Sequence, residues 1–360
     1  MRILFLCSGM GSGGAERTVS YLSSFFSGKG HDVEIVNVSG KLFYEIDKKI
    51  VYTNLGVPTK NKGFFRKKAM ACLRFVLVNK QIMHARPDVV CCILPEVAKY
   101  ILLLHRIRKF VLITSERNNP EFDGNLKLKK RIFEQSEGVV FQTKRACDFY
   151  DYETQAKGRI IHNAVGNKLA YEVVADYSKN EKIAAVGRLC EQKDYPTLFK
   201  AFKIVLETHP TYQLEIFGDG PLRHSLEVLA QKLGIDSNIS FLGASKDAIP
   251  KISEASCYVM SSKYEGMPNA LMEAMAIGLP CVATDCPNGP LELIEDKYNG
   301  LLVPVGDPYK LADAINLMID NRDFAKKCGE NARRIIETHN IENIATCYLD
   351  YIESIVEKRT

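Results

Sequence analysis

Two carboxylates stand at a fixed spacing in the segment Glu265-Gly266-Met267-Pro268-Asn269-Ala270-Leu271-Met272-Glu273-Ala274. Pro268 suits the first position of a helix, and Gly278-Leu279-Pro280 stops one. Glu265 is therefore expected in the loop before a helix and Glu273 more than a turn inside it, about two turns away. Between them lie backbone N–H groups that a helix start leaves without partners. Carboxylates accept from hydroxyl groups, and a helix N-terminus donates to phosphate oxygens. The pattern fits a hydroxylated ligand bearing a diphosphate. The plainer alternative is a surface Glu and a helix-face Glu, with Ala270, Leu271, Ala274 and Met275 as core.

A second cluster, Gly187-Arg188-Leu189-Cys190-Glu191-Gln192-Lys193-Asp194, follows an apolar run. Arg grips phosphate oxygens in a bidentate way and Lys adds a point charge. Taken alone, the cluster reads better as a solvated strand–helix loop with ordinary surface charges. A third, Gly9-Met10-Gly11-Ser12-Gly13-Gly14-Ala15-Glu16, follows the first apolar run and opens a helical stretch. Its glycines allow close approach of a phosphate, or make a tight turn. Gly9, Gly11 and Gly14 fit G-x-G-x-x-G. The acid that a dinucleotide enzyme needs after its second strand is missing, because that end reads Asn37-Val38-Ser39. A fourth, Thr114-Ser115-Glu116-Arg117-Asn118, ends another apolar run.

These loops need strands to carry them. Ile3–Cys7, Asp32–Val38, Asp88–Leu94, Phe110–Thr114 and Gly138–Phe141 alternate with helix-period stretches in the first half. Ile183–Val186, Gln213–Phe217, Ile239–Leu242, Cys257–Met260 and Pro280–Thr284 do so in the second. Alternation of this kind predicts an α/β protein with doubly wound parallel sheets. The 360 residues suit two such domains. A polar break over 163–180 sets the expected boundaries at 1–168 and 169–340. An amphipathic helix, Ile341–Glu357, closes the chain and is placed on the first domain.

The charge is uneven. Residues 1–168 carry 28 Lys and Arg against 15 Asp and Glu, a net +13, while residues 169–360 carry 20 against 28, a net −8. The first half is suited to an anionic surface or substrate. Lys60, Lys62, Arg66, Lys67, Lys68, Arg74 and Lys80 share an expected helix with Phe64, Phe65, Met70, Leu73, Phe75, Val76 and Leu77. That mixture suits an anionic membrane surface, or an ordinary amphipathic helix packed on a sheet. No nucleic-acid-binding module appears. None of the 11 cysteines forms C-x-x-C, which argues against zinc and for free thiols in a reducing, cytoplasmic compartment. No Asp-x-Asp occurs, so no metal is expected to bridge a diphosphate.

With these motifs in this order, joined by Gly218-Asp219-Gly220-Pro221 and Gly300-Leu301-Leu302-Val303-Pro304, nearly the whole chain resembles the retaining family 4 glycosyltransferases of the GT-B fold. Its first half resembles members that build bacterial capsule, exopolysaccharide or lipid-linked oligosaccharide. The resemblance implies two Rossmann-like domains facing a central cleft. It implies transfer of a hexose or N-acetylhexosamine from a UDP-sugar, with no metal and no other cofactor. The acceptor would be a growing glycan, polyprenyl-diphosphate-linked, at the inner face of the membrane. Arg188 and Lys193 would hold the diphosphate, Glu265 the sugar hydroxyls and Glu273 the ribose. Gly266 to Leu271, by way of Met267, Pro268, Asn269 and Ala270, would border phosphate and sugar. Leu242 and Gly243 would lie near the base, and Gly13 and Gly14 would meet the phosphate from the first domain. Many members carry a His where this chain has Glu116. Glu116 would orient the sugar, receive a proton, or only pair with Arg117 or another cation. Arg117 itself is counted with the acceptor side. A sugar-nucleotide epimerase of the same fold and a non-catalytic partner subunit are the competing readings.

Overall fold

The structure is a computed structural model that describes residues 1–11, 13–58, 64–108, 110–122, 124–166, 169–176, 180–245 and 248–359. The chain divides into two compact units, Met1–Gly166 with Ile341–Thr360, and Asn167–Asn340.

The first unit holds a seven-stranded sheet in the order β3-β2-β1-β4-β5-β6-β7. Its strands are β1 Arg2–Cys7, β2 Asp32–Asn37, β3 Val51–Asn54, β4 Val89–Cys92, β5 Val111–Glu116, β6 Gly138–Phe141 and β7 Gly158–Ile160. All pairings are parallel. Parallel strands are covered on both faces, which explains the unbroken apolar runs. Alternate residues enter opposite layers: Ile3 and Phe5 join one cluster, Leu4 and Leu6 the other. The helix Ile341–Glu357 completes the first of these layers with Ile344, Ala345, Tyr348, Leu349 and Ile352. Their i, i+4 spacing makes one apolar stripe, so the last residues of the chain finish the core begun by the first.

The second unit holds a six-stranded parallel sheet in the order β10-β9-β8-β11-β12-β13. Its strands are β8 Lys182–Val186, β9 Gln213–Phe217, β10 Ile239–Gly243, β11 Cys257–Met260, β12 Cys281–Thr284 and β13 Leu301–Val303. The helix Tyr195–Thr208 buries Leu198, Phe199, Ala201, Phe202 and Val205 against the sheet. In both sheets the chain order reverses once, between β1 and β4 and between β8 and β11. In open α/β sheets, ligands bind outside the carboxyl ends of the strands at this reversal. Three short strands, β3, β7 and β13, go beyond those read from sequence. Each has three or four residues, too few to show a period.

Candidate active site

In the second unit, the strands on either side of the reversal deliver the chemistry. After β8, the backbone turns at Gly187, exposes Arg188, buries Leu189 and forms a 3-10 turn over Glu191–Lys193. This loop is fixed from one side by the turn after β9. Leu189 N–H donates to Asp219 O at 3.1 Å, and Leu222 N–H to Leu189 O at 3.0 Å. A Cβ on Gly220 would lie 2.4 Å from the Leu189 carbonyl oxygen, so the turn needs glycine there. From the other side the loop is bonded to the segment after β11. Lys263 N–H donates to Gln192 O at 2.8 Å, and Ser261 Oγ to Lys193 O at 2.8 Å.

The two loops meet through one ion pair. Lys193 Nζ donates to Glu265 Oε1 at 2.6 Å, and the two side chains are 17% and 8% exposed. Ser262 Oγ donates to the same oxygen at 2.6 Å, and Gln192 Nε2 reaches Glu265 Oε2 at 3.3 Å. Thr284, fully buried at the end of β12, donates to Ser262 O at 2.6 Å and holds that segment. Oε1 is thus saturated. Oε2 has one long bond, which leaves it capacity for a further donor. Burial of the pair strengthens its interaction and fixes both rotamers.

Beside Glu265, the helix runs Asn269–Ala276 with Pro268 at its N-cap and no acidic residue in its first turn. The Pro268 side chain accepts nothing, and the first amides of the helix point out of its own ladder. Gly289, at φ +40°, lies against this segment, and a Cβ there would come within 2.4 Å of Gly266 O. Met267 and Leu271 are buried, and Asn269 and Ala270 are partly exposed. Glu273 sits within the helix at 9% exposure. Leu242 is 46% exposed at the end of β10, next to Gly243, whose carbonyl accepts from Gly218 N–H at 2.8 Å. The sheet thus brings Arg188, Lys193, Leu242, Gly243 and the Glu265–Leu271 segment to one edge. Among the described residues, the Arg188 guanidinium has no ion pair or hydrogen bond. Burial pushes the nearby Cys286 thiol up to about 12, so it stays protonated. Sequence reasoning missed Gln192, Ser262 and Thr284. Their position at the carboxyl end of a strand or a few residues past it was the signal that could have found them.

In the first unit, Gly13 and Gly14 stand at the start of the helix Gly14–Gly28, with Gly13 as its N-cap. The Glu16 carboxylate lies over Gly13, since a Cβ there would come within 2.3 Å of its oxygen. That places a negative charge at the positive end of the helix. Ser12, Lys60 and Lys62 lie outside the described residues.

Three expectations are corrected here. Glu116 does not face a ligand. It is fully buried, with Oε1 accepting from Lys129 Nζ at 2.7 Å and from the Arg117 and Asn118 amides at 3.0 and 3.1 Å. Its Oε2 accepts from Tyr150 OH at 2.6 Å. A carboxylate so enclosed has no route to a substrate proton, and its cation is Lys129 rather than the Arg117 side chain. Arg117 is 9% exposed and donates to Thr18 Oγ1 and Asn163 Oδ1, both at 2.7 Å, so it ties core elements together instead of meeting an acceptor. Arg74 is 9% exposed and donates to Pro58 O and to Tyr100 OH, so it is no surface contact. Arg66, Lys67 and Lys68 are exposed.

The buried pair makes a stability prediction. Lys129→Met leaves Glu116 charged without its cation, and removing one partner of a buried pair costs about 3–5 kcal/mol. Denaturant unfolding of the full chain should show this loss, and adding Glu116→Gln should restore part of it. Unchanged unfolding of Lys129→Met would contradict the structural role.

Residues 171–335 match the family model described as glycosyl transferases group 1. The chain is 26% identical over 355 residues to an uncharacterized glycosyltransferase of Haemophilus influenzae, covering 95% of this chain and 97% of the relative. It is 25% identical over 364 residues to the GalNAc-alpha-(1->4)-GalNAc-alpha-(1->3)-diNAcBac-PP-undecaprenol alpha-1,4-N-acetyl-D-galactosaminyltransferase of Campylobacter jejuni, covering 99% of each. In fold it is similar to HepE of Anabaena, solved with UDP and glucose, at a TM-score of 0.81 and 17% identity over 98% of this chain and 100% of that one. The second unit thus contains a segment that matches the group 1 glycosyl transferase model, and the chain has the GT-B fold over its length.

Proposed function

We propose that the protein transfers a hexose or N-acetylhexosamine from a UDP-sugar, with retention, to a growing lipid-linked glycan of a bacterial surface. The observation that carries this reading is the Lys193–Glu265 pair, 2.6 Å long, across the reversal of the second sheet. One side of the pair is a cation backed by exposed Arg188. The other is a carboxylate with one oxygen still able to accept. A diphosphate and a sugar hydroxyl are the two halves of a ligand that matches both.

In this reading Arg188 and Lys193 hold the diphosphate and stabilise the charge it gains as the glycosidic bond breaks. Amides near the start of the helix Asn269–Ala276, in the segment Gly266, Met267, Asn269, Ala270 and Leu271, add donors. Pro268 has no N–H and shapes the entry. Glu265 Oε2 accepts from a sugar hydroxyl and Glu273 from the ribose. Leu242 and Gly243 border the base. Gly13 and Gly14 offer backbone amides to a phosphate once Glu16 moves aside. With Glu116 enclosed, the acceptor attacks on the face that the diphosphate leaves, and a diphosphate oxygen takes its proton. No enzyme nucleophile is needed.

The names of one relative and one fold neighbour support the substrate classes, since the first names an undecaprenol-linked acceptor and the second was solved with UDP and glucose. The helix Phe64–Ala85 supports contact with an anionic membrane. It carries no acidic residue and exposes Arg66, Lys67, Lys68 and Lys80 together with Phe65, Val76 and Met83. Among the described residues, no helix is long and apolar enough to cross a membrane.

Because two cations and a helix start do the work of a metal, transfer should keep most of its rate in excess EDTA. The product should be the α-glycoside of an α-linked donor, read by its anomeric proton coupling. Complete loss with EDTA would refute metal independence. An inverted anomer would refute retention, and release of an epimerised sugar would favour the epimerase.

A further inference from the structure

A cavity of about 690 Å³ opens in the first unit at the amino ends of β1, β4 and β5. It lies at the opposite edge of that sheet from the loops that follow those strands. Four arginines line it, Arg2, Arg86, Arg108 and Arg359, against one acid, Asp88. Its volume is that of a small-molecule site.

Two of the arginines are committed. Arg2 pairs with Asp88 at 3.3 Å, and Arg359 donates to Phe110 O at 2.7 Å and pairs with Glu137 at 3.4 Å. Arg86 and Arg108 are exposed, and among the described residues their guanidinium groups have no ion pair or hydrogen bond. Arg86 also holds φ +47°, a conformation that non-glycine residues adopt at a cost and that often marks a functional position. The rest of the wall includes Ile82, Phe110 and Val356. A cavity with spare guanidinium groups and an apolar side fits an anion attached to an apolar body. The adjoining cavity, of about 480 Å³, has a mixed lining, with Asp32 and Glu34 beside Arg2 and His84, and so lacks the excess of cations that the first one has.

We propose that this cavity is a second ligand site, which binds a phosphate ester through Arg86 and Arg108 and its organic portion on the apolar wall. Guanidinium groups bind phosphate through paired N–H donors, a geometry that Lys does not reproduce. The ester comes either from a phospholipid headgroup or from a soluble molecule.

The test uses the full chain and two probes. One is glycerol 1-phosphate, followed by calorimetry. The other is phosphatidylglycerol–phosphatidylcholine vesicles, with pure phosphatidylcholine as the reference, followed by co-sedimentation. The double variants Arg86→Ala/Arg108→Ala and Arg86→Lys/Arg108→Lys change exposed side chains and keep the carboxyl edge of the second sheet intact. Wild type should bind at least one probe. Both variants should bind that probe about tenfold more weakly or worse, with unchanged affinity for UDP. An effect confined to vesicles assigns the headgroup, and one seen with glycerol 1-phosphate assigns the soluble ester. Either supports the site. Binding by the lysine variant equal to wild type reduces the effect to diffuse charge and overturns it, as does wild type binding neither probe.

Discussion

Glu265→Gln should lower kcat for transfer by on the order of 10²–10³-fold while the chain stays folded, because the loss of one preorganised polar contact in a transferase site has that size. The substitution keeps the shape. With the amide oxygen in the place of Oε1, Ser262 Oγ keeps its acceptor, but Gln192 Nε2 then faces an NH2 group and Lys193 loses its charged partner at 2.6 Å. A sugar that gains positive character as its bond to the diphosphate breaks is favoured by a carboxylate and not by an amide. The defect should therefore sit in kcat rather than in the donor KM. Near-normal turnover in this variant would mean that Glu265 only holds the two loops together.

Lys193→Ala should be at least as severe, with a loss of about 10³-fold in kcat/KM, and should differ in kind. It removes a charge that a diphosphate needs in the ground state and more so as it leaves, so donor affinity and kcat both fall. It also strands Glu265, 8% exposed, with Ser262 and Gln192 as its remaining donors among the described residues. Some loss of thermal stability is expected as well. Lys193→Arg separates the two effects. Arg keeps the charge but not the compact fit, so it should restore stability before it restores rate. Rates restored in full by Arg would show that only the charge matters.

The fold was legible because its signal is redundant. Buried parallel strands appear as apolar runs, and their alternation with helix-period segments identifies a doubly wound sheet without exact boundaries. Pro268 and the Gly278-Leu279-Pro280 stop bracketed the helix observed at Asn269–Ala276. The last helix, Ile341–Glu357, was readable from its stripe alone. At the candidate site, Arg188, Lys193 and Glu265 were readable as candidates because their motifs occur together in order; a charged residue after one apolar strand, taken alone, reads as ordinary surface charge. Ser262 and Thr284 were not, since a hydroxyl looks the same in sequence whether it faces water or orients a carboxylate.

Glu116 shows the limit more sharply. It ends β5, while Glu265 lies in the segment after β11, and by sequence both were candidates at the carboxyl end of a strand. What separates them is a lysine 13 residues further on and a tyrosine 34 residues further on, which fold over Glu116 and leave it no surface. Arg74 and Arg117 failed for the same reason. A basic residue on a helix, like Arg74, or just past a strand, like Arg117, reads as exposed until the partner that buries it is known, and those partners come from distant segments.

The most direct test of the account is donor binding by the purified full chain, without metal or acceptor, followed by thermal shift against UDP-, GDP-, ADP- and dTDP-sugars in wild type and Lys193→Ala. A ligand that binds only the folded protein raises the melting temperature by mass action. The account predicts a clear rise with UDP-sugars in wild type that is lost in Lys193→Ala. A rise of equal size in both proteins, or none with any nucleotide sugar, would contradict a donor site built on the Lys193–Glu265 pair.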